Sequence, residues 1–104
     1  LELTNNSFSN STGYDWINIH SGNLDIKVKN CNFYNNINFE TPSGPNYTNI
    51  TQSNPQFTNE NENNFSLKPN SPLIDKGITT EHISSYNKVN RPSGNNFDIG
   101  AYEY

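Results

Sequence analysis

Hydrophobic and polar residues alternate in short stretches along this chain, and the stretches recur. Leu1 and Leu3 point one way against Glu2 and Thr4, and Ile26 and Val28 repeat the alternation against Lys27 and Lys29. Alternation with a period of two predicts half-buried strands rather than a helix. The segment from Leu1 to Asn10 aligns without gaps on Ile26 to Asn35 at an offset of 25, and a weaker third copy, Ile50 to Phe57, follows at 24. Three columns result: Leu1/Ile26/Ile50, Asn5/Asn30/Asn54 and Phe8/Phe33/Phe57. In the first two copies the alternation breaks at Asn, which tolerates left-handed dihedrals and so suits a bend. Asn6/Cys31 and Phe8/Phe33 then resume the inward positions.

A spacing of 24 to 25 fits a coil of three short strands and three bends. A leucine-rich horseshoe has a similar period but needs several Leu per repeat, which are missing here. The pattern therefore predicts an all-β solenoid, a right-handed parallel β-helix, with residues 1–64 as terminal coils and 65–104 as a C-terminal cap of the same domain. With coils about 4.8 Å apart, Asn5, Asn30 and Asn54 are expected to form an amide ladder. Glu2 and Lys27 are expected side by side on the outer surface. A second strand per coil is read at Asp15 to His20, with Ile17 and Ile19 inward, and Thr41 to Asn46 reads as an excursion loop.

Composition supports a thin core. Of 104 residues 30% are hydrophobic, and the mean hydropathy is −0.92. Such values suit disorder, but aromatic residues reach 12% and charged residues only 15%; a solenoid, whose core is a narrow stripe, reconciles these features. A net charge of −4 gives no basic footprint for nucleic acid. No run approaches the roughly 20 apolar residues of a membrane span. Cys31, the single cysteine, has no internal disulfide partner. Because the chain opens directly in a strand, it reads as part of a longer array. Leu1, Leu3 and Phe8 are then expected to need cover from upstream coils or another chain, and the isolated chain to self-associate.

Beyond Phe57 the pattern changes. Asn54-Pro55-Gln56-Phe57, Phe65-Ser66-Leu67, Ser71-Pro72-Leu73-Ile74-Asp75-Lys76-Gly77, Arg91-Pro92 and Asp98-Ile99-Gly100-Ala101-Tyr102-Glu103 follow in that order. This ordered set resembles the C-terminal region of bacterial β-helix proteins of the choice-of-anchor Q type and covers about half the chain. The resemblance implies a pectate-lyase-like fold on an extracellular or cell-surface bacterial protein associated with polysaccharide. In the tail, Asp75, Arg91 and Asp98 are expected to hydrogen-bond and pair within the cap. Phe65, Leu67, Leu73, Ile74, Ile99 and Tyr102 are expected to cover the open end of the coils.

Candidate chemistry is sparse. A uronan lyase needs a Lys or Arg base and clustered acids for Ca²⁺, but the acids are dispersed, and Lys27 and Lys29 read as a solvated pair. Asp15 and Asp25 sit where strands begin and read as turn residues rather than the paired carboxylates of a glycosidase. His20 and His82 lack partners at metal-ligand spacing, and Cys31 reads as a buried inert thiol. No catalytic residue, metal site or cofactor is expected. The best binding surface is aromatic: Trp16, Asn18 and His20 share one outer face with Tyr14 close by, an arrangement suited to a sugar ring. Packing of Trp16 under the 41–46 loop is the competing reading. The expectation is a structural, non-catalytic end of a polysaccharide-associated protein. The alternatives are part of a lyase or hydrolase acting through upstream coils, or an adhesin using the array as a spacer.

Overall fold

Asparagine sets the bends. The computed structural model describes residues 1–12, 25–37 and 43–104. Asn5, Asn10, Asn30, Asn35 and Asn49 all take left-handed φ values of 49 to 58°, a conformation that a β-branched side chain resists. Each ends a short strand: β1 (Glu2–Thr4), β2 (Ser7–Ser9), β3 (Lys27–Lys29), β4 (Asn32–Tyr34) and β5 (Tyr47–Thr48). β1 pairs with β3 in parallel, Leu3 opposite Val28, and β2 with β4, Phe8 opposite Phe33. This is the register of the first two sequence copies.

The third layer departs from it. Tyr47 lies opposite Val28 and Thr48 opposite Lys29, and a further bridge joins Asn32 to Thr51, 19 positions apart instead of 24. Asn30 N donates to Thr48 O, so Asn49, not Asn54, takes the bend above Asn30. The chain then turns away at Pro55, which has no N–H to donate, and at Gln56, with φ of 55°. Phe57 joins a different sheet: β6 (Phe57–Asn59) and β7 (Asn64–Leu67) pair antiparallel around a 3₁₀ turn at Glu60–Glu62. That hairpin straddles position 64, the expected boundary between coils and cap.

The expectation of a right-handed parallel β-helix is therefore corrected. The described residues form three small separate sheets of three, two and two strands, one of them antiparallel, with no continuous solenoid sheet. Ile50, Asn54 and Phe57 do not continue the columns begun by the first two copies. The physical reason is the shorter path to the third layer, together with the pull of Leu67 on Phe57 in the hairpin register.

Two apolar clusters form among the described residues. Val28, Cys31 and Phe33 are buried with Leu3, Phe8, Ile26, Tyr47 and Ile50 against them. The rings of Phe8 and Phe33 stack at 4.9 Å and 18°, adding about 1 kcal/mol beyond their burial. Leu67, Leu73 and Ile99 form the second cluster, flanked by Phe57 and Ile74, and it ties the tail to the hairpin. Among the described residues no helix is long and apolar enough to cross a membrane.

Candidate functional site

Three acidic side chains and one arginine organise the tail. Glu103 is the centre: Oε1 accepts from Ser93 N at 3.1 Å and Oε2 from Asp98 N at 3.3 Å. Arg91 Nε lies 3.3 Å from Glu103 Oε2, a charge contact rather than an aligned hydrogen bond, and the Glu103 side chain is fully buried. Arg91 Nη2 donates to Gly100 O at 2.8 Å, and the guanidinium sits 5.9 Å over the Phe97 ring. Asp98 is buried, with Oδ1 accepting from Asp75 N at 2.8 Å and Oδ2 from Tyr104 N at 2.7 Å. Asp75 accepts in turn from Asn96 N at 2.9 Å, and its own backbone is left-handed, with φ of 59°. A Cβ at Gly94 would meet Asp75 Oδ1 at 2.5 Å, so a larger residue there would displace the carboxylate from Asn96 N. The structure thus brings Asp75, Arg91 and Asp98 into one network. Glu103, its hub, stood in the tail motif without being singled out.

The network positions a strap across the strand layers. Asn5 Nδ2 donates to Ile78 O at 2.7 Å while Asn5 Oδ1 accepts from Ile78 N at 2.9 Å. Asn30 Nδ2 donates to Lys76 O at 2.9 Å, and Gly100 N to Asn5 O at 2.7 Å. The Asn5 and Asn30 amides therefore hold the tail backbone. Asn54 Oδ1 accepts locally from Gln56 N at 2.9 Å. An amide-to-amide bond between layers runs from Asn35 Nδ2 to Asn10 Oδ1, at 2.9 Å. Buried Asn32 bonds Ser53 O, Ser53 N and Thr51 Oγ1, pinning the third layer. Its buried amide has no periodic signature in the sequence, so pattern reading missed it.

Where the tail segment from Ser84 to Tyr102, β2 and the hairpin meet, a cleft of about 820 Å³ opens. Alternation in β2 turns Phe8 inward onto Phe33 and sends Ser7 and Ser9 the other way, into the cleft wall. Phe57 and Phe65 stand edge to face at 5.4 Å on the hairpin side, and Tyr86 and Tyr102 are tilted at 5.2 Å on the tail side. Arg91 completes the wall, and no carboxylate lines it among the described residues.

Tyr14, Trp16, Asn18 and His20, the expected sugar platform, lie outside the described residues. Glu2 lies opposite Lys27 in register but pairs with Lys29 Nζ at 3.4 Å. The Thr4 hydroxyl, and after it Lys29, lower the Glu2 carboxyl below its ordinary value. Burial raises the Cys31 thiol above its usual value, against the opposing hydrogen bond donated by Asn6 N. The sulfur sits among backbone groups, 3.3 Å from Lys29 O and 3.4 Å from Asn6 N, which suits a protonated packing thiol. Among the described residues no group of three His, Cys, Asp or Glu is placed to hold a metal ion. Comparison with protein-family models, with curated proteins and with solved structures finds no match.

Proposed function

We propose that the chain is a structural closing module of an extracellular bacterial protein associated with polysaccharide, without bond-breaking chemistry of its own. One observation carries the reading: the tail's chemically capable groups are bound to one another and to backbone. Glu103 and Asp98 are buried, and Arg91 faces Glu103 and Gly100. A general base must have a free lone pair within reach of a substrate proton, whereas Glu103 accepts from Ser93 N and Asp98 N, and Asp98 from Asp75 N and Tyr104 N. The strap from Lys76 to Ile78 then locks the strand layers at Asn30 and Asn5. The ordered tail motif, with its likeness to choice-of-anchor Q proteins, supports the bacterial surface setting and the association with polysaccharide.

Incubation with alginate, pectin and chondroitin while following ultraviolet absorbance tests this reading. No unsaturated uronate ends are expected above the no-protein control. Their appearance, abolished in an Arg91→Ala variant, would overturn it in favour of a lyase.

A further inference from the structure

We infer that the cleft between β2, the β6–β7 hairpin and the tail binds a neutral glycan segment, recognised by ring faces and hydroxyls instead of charge. The inference deepens the polysaccharide-associated reading and rests on it for the biological setting, while the ligand chemistry comes from the walls. A volume of about 820 Å³ falls in the range of small-ligand sites. Sugar rings present an apolar C–H face and an equatorial rim of hydroxyls, so a matching site needs aromatic planes and short polar groups.

Both are present. Tyr86 is 75% exposed and Phe65 41%, so their rings stand open at the cleft instead of being consumed in the core. Tyr86 leans on Tyr102, which fixes its orientation at small entropic cost. Across the cleft, the Ser7 and Ser9 hydroxyl oxygens are buried with no hydrogen-bond partner among the described residues. Buried polar groups are rarely left so. Alternation places the two on one face about 6.6 Å apart, close to the span of a pyranose ring. A χ1 rotation swings either hydroxyl into the cleft, where a sugar hydroxyl supplies the missing partner. Asn63 and Ser84 add further polar groups to the wall.

Charge argues for a neutral ligand. Arg91, the one cation in the wall among the described residues, already faces the buried Glu103 carboxylate, so its field is largely cancelled. No carboxylate lines the cleft among the described residues, so nothing there would hold a Ca²⁺ bridge to a uronate.

Amide-resolved NMR titration of the full chain separates the outcomes. The probes are linear gluco-, manno- and galacto-configured oligosaccharides, with oligogalacturonate as the charged arm. At least one neutral sugar is expected to shift Ser7, Ser9, Tyr86 and Tyr102, with affinity unchanged between about 0.05 and 0.5 M salt. Tyr86→Ala should weaken it about tenfold, Ser7→Ala about threefold, and Tyr86→Phe should restore it. Three results each overturn the inference: no neutral sugar shifting these residues, an affinity indifferent to Tyr86→Ala, or salt-sensitive binding of the uronate alone. Failure here leaves the structural reading standing, and uronate release in the absorbance assay would sink that reading without touching the cleft.

Discussion

Glu103 and Glu2 carry the same carboxylate into opposite surroundings. Glu103 is sealed against Arg91, whereas the Glu2–Lys29 pair has side-chain exposures of 52% and 38%. Water screens an exposed pair almost completely; a buried cation robbed of its partner has no such relief. Glu103→Gln keeps the shape and one acceptor oxygen but leaves Arg91 uncompensated, and should lower unfolding stability by about 3 kcal/mol. Glu2→Gln should leave the urea midpoint unmoved. Equal midpoints for Glu103→Gln and the parent would refute the buried pair's role. The identities of Asp75, Arg91 and Asp98 made a paired tail legible in the sequence. The hub was not legible, because nothing local distinguishes Glu103 from a surface glutamate.

Strands β1 to β4 owe their pairing to side-chain alternation plus one left-handed Asn after each. Both signals lie within a few residues, so β1 to β4 and their register could be read directly. The third layer could not. Asn and Ser are so abundant that Ile50 to Phe57 mimics the motif, while the pairing that prevails, Tyr47 on Val28, depends on how far the intervening chain reaches. Phe57 answers to Leu67 in the hairpin, a partner that no periodicity in its own segment announces. This gives an energetic contrast. Phe33, 2% exposed and stacked on Phe8, should cost about 4 kcal/mol when replaced by Ala, and the half-buried Phe57 clearly less. Denaturant titration of the two variants checks the order; a larger loss at Phe57 would place the main core in the hairpin.

Across the whole molecule, sheet order leaves β1 at an edge, and Leu1 beside it is 57% exposed. No described residue pairs with the outer side of β1, a template for another chain. Sedimentation should show a weight-average mass rising with concentration. A single monomer boundary up to high concentration would contradict this. The sequence conveyed the exposed edge but not the strap, whose partners lie 73 positions apart at Asn5 and Ile78. That separation also bears on how the protein is made. During synthesis the bend at Asn5 emerges long before Ile78 and Gly100, its eventual hydrogen-bond partners, so its polar groups wait roughly 5 to 20 s at usual translation rates. In that interval its amide is open to capture, which makes the nascent chain, more than the finished protein, the form that a chaperone must guard.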